Sequence, residues 1–211
     1  MRAGCPLVLT GLLAIAGCSG AEPSDSDLPN GCEALVVSDI DETLTTSDGE
    51  LIAQLLDAAY DQAMRPDANT AMSRWADAGY RVLYVTARGE QITLTDDRTM
   101  RQATSDWLDL HGFPRSEGDL FLSPGVAAAG EEARAYKASV LLDAQAAGDV
   151  VVAAYGNADT DLEAYVDAGL TPEQVYVVGE RAGDPRGVPV PDEEAYTGHL
   201  ATLSPPPASC P

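Results

Sequence analysis

Asp39 and Asp41 stand two positions apart, where the apolar run 34–40 gives way to polar residues. Side chains alternate along a strand, so carboxylates at this spacing can leave its end toward one pocket. Close carboxylates repel unless a cation sits between them or one takes a proton. Such hard oxygen donors suit Mg²⁺, which keeps waters and takes one or two carboxylates plus phosphate oxygens. A carboxylate can also attack phosphorus and form an aspartyl-phosphate. That chemistry needs cations around the spreading negative charge and a positioned acid or base. Lys137 is the single lysine of the chain. In a composition that has almost dispensed with lysine, it reads as a phosphate-holding cation rather than an ordinary helix-surface charge. Thr86-Ala87-Arg88 and Gly156-Asn157-Ala158-Asp159-Thr160-Asp161 supply further polar groups. Acidic chains produce Asp-x-Asp-x-Thr strings by chance, as solvated turns or Ca²⁺-like loops. Four signals in order, each at an element end, argue against chance.

The elements that must position these residues alternate. Apolar runs at 34–40, 81–87, 119–122, 150–155 and 174–178 predict strands. Amphipathic stretches at 50–64, 69–78, 99–110, 131–147 and 161–168 predict helices, several stopped by glycine. Strands apolar throughout, separated by helices, mean a parallel sheet covered on both faces. The expected fold is α/β: a doubly wound, Rossmann-like parallel sheet of about five strands, without a large cap domain. Ligands of such sheets bind beyond the carboxyl ends of the strands, at the switch point. The chemistry-bearing residues stand at those ends.

The chain has 12 Lys+Arg against 34 Asp+Glu, a net charge of -22. Such a surface repels nucleic acid and anionic membranes, so nucleic acid is excluded as an expected partner. Segment 1–17 reads as a processing signal, with Arg2 ahead of an apolar stretch too short to span a bilayer. It ends in Ile15-Ala16-Gly17-Cys18. This resembles a bacterial lipobox in which Cys18 takes lipid; an ordinary signal peptide with a chance cysteine is the alternative. Residues 18–31 read as a flexible tether, 32–185 as the domain, and 186–211 as a Pro-rich tail. The expected location is the bacterial cell envelope, facing the periplasm or exterior, with the membrane reached through the lipid anchor. Cys32 and Cys210 remain at opposite ends of the mature chain. In an oxidising compartment such a pair is expected to bridge; two free thiols are the alternative. His111 and His199 show no metal-ligand spacing and receive no role.

The motifs together resemble the haloacid dehalogenase superfamily of phosphatases, and within it the lipin-type phosphatidate phosphatase catalytic domain. The first motif is Ser38-Asp39-Ile40-Asp41-Glu42-Thr43-Leu44-Thr45-Thr46-Ser47-Asp48, with Glu42 where glycine is usual. The others are Leu83-Tyr84-Val85-Thr86-Ala87-Arg88, Leu120-Phe121-Leu122-Ser123-Pro124, and Gly156-Asn157 followed by Asp161. The resemblance covers about residues 34–180. It implies that Asp39 is the nucleophile and a Mg²⁺ ligand, and that Asp41 is the acid/base, with its carbonyl on the metal. It implies that Thr43 steadies the loop, that Thr86 and Lys137 hold the phosphoryl group, and that Arg88 contacts substrate. Asn157 takes a metal position and Asp161 supports it.

A Mg²⁺-dependent phosphomonoesterase acting on phosphatidate or a related phospholipid is therefore expected. A broad-specificity secreted acid phosphatase or nucleotidase remains an alternative, since such lipoproteins share an Asp-x-Asp-Glu-Thr motif. A catalytically weak module that binds phosphate or a lipid head group is the third reading.

Overall fold

The computed structural model describes residues 31–191 and 195–210. The expected leader 1–17, the lipidation candidate Cys18 and the tether up to residue 30 lie outside the described residues. The first strand, β1 (Ala34–Ser38), is buried at every position. Ala34 and Val36 belong to one apolar cluster, Leu35 and Val37 to another. A strand with two buried faces needs helices on both sides, and the chain supplies them.

β1 is followed by α1 (Gly49–Leu56), α2 (Ala68–Asp77), β2 (Arg81–Gly89), α3 (Met100–Leu110) and β3 (Leu120–Ser123). Then come α4 (Gly130–Ala147), β4 (Val150–Gly156), α5 (Asp159–Asp167), β5 (Val175–Val178), β6 (Val188–Val190) and α6 (Ala195–Leu200). The sheet order is β3-β2-β1-β4-β5-β6, and all pairs are parallel. The order reverses between β1 and β4, which makes their carboxyl ends the switch point. Among the described residues, no cap domain interrupts the sheet.

Local chemistry sets the element ends. Thr99 and Gln102 form a reciprocal capping box at the start of α3. α4 stops where Gly148 takes a left-handed conformation, φ 104°.

Two expectations needed correction. The helix expected over 50–64 ends at Leu56, because Asp57 turns extended and Met64 pairs antiparallel with Thr45. The segment after Leu56 serves the site instead: Gln62 is fully buried and accepts from Arg88 at 2.7 Å. The sheet also gains a sixth strand, Val188–Val190, from the segment read as a tail. It contains Pro189, tolerated because β6 is an edge strand.

Beyond α6 the chain runs back along α2. Arg74 donates to the Leu203 carbonyl at 3.1 Å, and the Ala208 amide donates to Ala78 at 2.8 Å. Cys210 joins Cys32 in a disulfide, with Cα atoms 6.3 Å apart.

Candidate active site

The chain leaves β1 straight into the switch-point cleft. The Asp39 amide donates to the Tyr155 carbonyl at 3.0 Å, so the aspartate is tied to β4. Its side chain is buried, 3% exposed. Lys137, in the middle of α4, donates to Asp39 Oδ1 at 2.7 Å and also to Asp161 Oδ1. The Thr43 hydroxyl reaches Asp39 Oδ2 at 2.9 Å and Asn157 Oδ1 at 3.0 Å. A hydroxyl has one proton, so it satisfies only one of these two oxygens at a time.

Asp161 is fully buried and both its oxygens are engaged. Oδ1 faces Lys137, while Oδ2 accepts the amides of Asn157 at 3.1 Å and Ala158 at 3.0 Å. It thus fastens the start of α5 and shares the ammonium of Lys137.

Asp41 lies beside this group, held from the other side. Arg88 Nε and Nη2 grip its carboxylate, with Nη2 at 2.8 Å from Oδ1 and Nε at 3.0 Å from Oδ2. Thr86 Oγ1 donates to Asp41 Oδ2 at 3.3 Å. Arg88 is itself buried and anchored to Thr104 at 3.1 Å and Gln62 at 2.7 Å. Thr86 and Arg88, expected to meet substrate, here hold Asp41. The site residues Asp39, Asp41, Thr43, Thr86, Arg88, Lys137, Asn157 and Asp161 therefore stand in two linked groups at one cleft. Sequence reasoning missed Gln62, Thr104 and Arg65. They come from a loop and helix without motif spacing, and only packing brings them in.

The electrostatics are unbalanced. Burial raises Asp39, Asp161 adds to it, and Lys137 offsets this only in part; the carboxyl is pushed up to about 7. Burial works against the Lys137 charge too, but Asp161 and Asp39 hold it above its ordinary range. Burial alone would raise Asp41, yet the Arg88 guanidinium outweighs it and the carboxyl sits below its ordinary value. At the mouth, burial and then Glu42 raise Asp48. Around Lys137, two carboxylates face one ammonium.

The cleft is open, about 380 Å³, with the carboxylates on its floor and Leu51, Leu55, Ile92 and Ala127 among its walls. A larger cavity of about 460 Å³ lies elsewhere, between Trp75, His199 and Pro206, and carries none of these charged groups. Among the described residues, no group of three or more His, Cys, Asp or Glu side chains is spaced to hold a metal ion.

The site stands on a doubly wound parallel sheet, with an aspartate at the end of its first strand and a buried lysine against it. A candidate beta-phosphoglucomutase from Thermotoga maritima shares that fold, with a TM-score of 0.51 at 15% identity, covering 81% of this chain and 100% of that one. More narrowly, the family described as PITM 1-3, LNS2 domain, matches residues 36–179, and the chain belongs to it. Mouse membrane-associated phosphatidylinositol transfer protein 3 is 29% identical over 177 residues, 83% of this chain and 16% of that protein. The Drosophila melanogaster protein retinal degeneration B is 25% identical over 174 residues, 82% of this chain and 13% of its own length. The chain thus spans only a minor part of the curated relatives it matches.

Proposed function

We propose that this protein is a Mg²⁺-dependent phosphomonoesterase that transfers the phosphoryl group to Asp39. The observation that carries this reading is the buried Asp39 carboxylate, gripped by Lys137 at 2.7 Å beneath an open cleft at the switch point. An Asp39 oxygen attacks phosphorus, and the bond to the leaving oxygen breaks. Asp41, once protonated, gives its proton to that oxygen. Water then attacks the phosphorus of the acyl phosphate, passes a proton back to Asp41, and frees phosphate and Asp39. A phosphoryl dianion beside Asp41 opposes the pull of Arg88 and raises the carboxyl's affinity for that proton.

The residues fit a hard cation. Asp39 Oδ2 and Asn157 Oδ1 converge on one hydroxyl proton, and burial, with Asp161 beside it, raises Asp39 to about 7. Asp39, Asn157 and the Asp41 carbonyl would hold Mg²⁺, with waters completing its shell. Asp161 supports them through Lys137 and the α5 amides. The ion would neutralise charge developing on the phosphoryl oxygens.

The favoured substrate is phosphatidate or a related phospholipid. The apolar cleft wall supports it, and so does membership in a family whose relatives are named phosphatidylinositol transfer proteins. Acylation at Cys18 in a bacterial envelope would bring the site near lipid without any basic patch. A second reading is favoured by the Arg88–Asp41 pair, 2.8 Å apart, with Arg88 fully buried and the Asp41 side chain 19% exposed. An ionised, clamped Asp41 suits a module that binds a phosphate head group without turning it over.

The test is phosphate release by the metal-stripped protein, with and without added Mg²⁺, on phosphatidate micelles and on a nucleoside monophosphate. Mg²⁺-dependent release from phosphatidate is expected, with Asp39→Asn slower by at least about 10³-fold. Preference for the nucleotide would assign a broad acid phosphatase or nucleotidase. Phosphatidate binding without release would assign the binding module.

A further inference from the structure

Glu42 sits with φ at 55°, the left-handed region that strains any residue carrying a Cβ and favours glycine. Its contacts account for a side chain there. Glu42 Oε2 accepts from Asn157 Nδ2 at 2.9 Å, and Oε1 accepts from the Asp48 amide at 3.3 Å. Its carbonyl accepts from Arg65 Nε at 2.8 Å, and its amide donates to Thr45 Oγ1 at 3.0 Å. One strained residue thereby ties the loop after β1 to the end of β4.

The bond to Asn157 has a direction. An ionised carboxylate only accepts, so Asn157 must turn its NH₂ toward Glu42. Its oxygen then faces Thr43, whose hydroxyl also reaches Asp39. Thr43 cannot set that orientation by itself, because a hydroxyl both donates and accepts. A flipped amide would place NH₂ hydrogens where an oxygen donor is needed.

We propose that Glu42 is a positioning residue that locks the Asn157 amide, so that the oxygens of Asn157 and Asp39 converge on one divalent cation. This rests on the metal-dependent reading of the site. The neighbouring cleft of about 310 Å³, lined by Glu42, Asn157, Arg65 and Arg181, shares Glu42 and Asn157 with the catalytic cleft.

The test is Mg²⁺ affinity, measured by titration calorimetry on metal-stripped protein without substrate, together with the Tm of the metal-free state. Glu42→Gly is expected to weaken Mg²⁺ by about 10- to 100-fold, while the metal-free Tm holds or rises as backbone strain is relieved. Glu42→Gln keeps an oxygen that can accept from Asn157, so its affinity stays within about threefold of wild type. Equal losses in both variants would assign the effect to charge and overturn the positioning role. Unchanged affinity in Glu42→Gly would overturn it as well. Failure of the wild type itself to bind Mg²⁺ would remove the metal-dependent reading, and this proposal with it.

Discussion

Two buried polar clusters share Tyr155, and they are built on opposite plans. The Tyr155 carbonyl accepts from the Asp39 amide at 3.0 Å and from the Tyr165 hydroxyl at 2.7 Å, which places it under the charged cluster of Asp39, Lys137 and Asp161. The Tyr155 hydroxyl accepts from Trp75 Nε1 at 2.8 Å and pairs with His199 Nε2 at 2.9 Å, with Tyr176 stacked on the ring. The first cluster sets two carboxylates against one ammonium, and burial, then Asp161, raise Asp39 to about 7. The second avoids charge: burial, then the nearby Arg74, push His199 down to about 4. Trp75 donates to Tyr155, Tyr155 donates to the neutral imidazole, and the chain is complete. Similar burial thus serves two ends. Unmatched charge leaves a site to be completed by a ligand, whereas matched neutral donors make a strut.

The strongest way to break the comparison is Lys137→Met. It leaves Asp39 and Asp161 buried together without their shared cation. The expected cost is about 3–5 kcal/mol in denaturant unfolding, with phosphate release lost. The deficit should shrink at pH 5, where the carboxyls can take protons. A variant as stable as wild type at pH 8 would show that the cluster carries no buried charge.

A smaller effect is expected from replacing Cys32 and Cys210 together by serine. The closure spans 178 positions, and its loss should cost about 2–5 kcal/mol. It releases the strap that runs back along α2 from the neutral cluster. Tm and tryptophan fluorescence should change while Mg²⁺ affinity does not. A parallel fall in Mg²⁺ affinity would show that the clusters are not independent.

Much of the charged cluster was legible in the sequence, and almost none of the neutral one. Parallel strands are apolar on both faces, so the runs 34–40 and 150–155 stood out, and the polar residues at and beyond their ends marked the switch point. Lys137 stood out by being alone. What spacing could not show was pairing: Arg88 grips Asp41, and Glu42 accepts from Asn157 across the cleft, through contacts 47 and 115 positions apart. His199 has no motif around it, and its partner Tyr155 looks like any strand aromatic. β6 was hidden because Val188-Pro189-Val190 is short and carries a proline that only an edge accepts. The helix expected over 50–64 was misjudged because its apolar periodicity continues past Leu56 while the backbone turns away toward Arg88.

The smallest effect separates the clusters by sign. Asp39 has a folded value near 7 against an ordinary 3.8, so the folded state holds more protons than the unfolded one between about pH 4 and 7. Its contribution to stability is full below that window and is lost as pH rises through it. His199 has a folded value near 4 against 6.5, so there the unfolded state holds more protons. Its contribution is full above 6.5 and is lost as pH falls toward 4. In the metal-free wild type the two slopes oppose each other between pH 4 and 6.5 and flatten the Tm profile. Asp39→Asn removes one slope, so its Tm should fall more steeply with acid and exceed wild type at pH 8. His199→Phe removes the other and leaves the Tyr155 hydroxyl without an acceptor, at about 1–3 kcal/mol near neutrality. Its Tm should rise as pH drops from 6.5 to 4.5, with Mg²⁺ affinity at pH 7.5 unchanged. Parallel profiles in the two variants would mean that the clusters titrate as one unit, and the distinction between site and strut would fall.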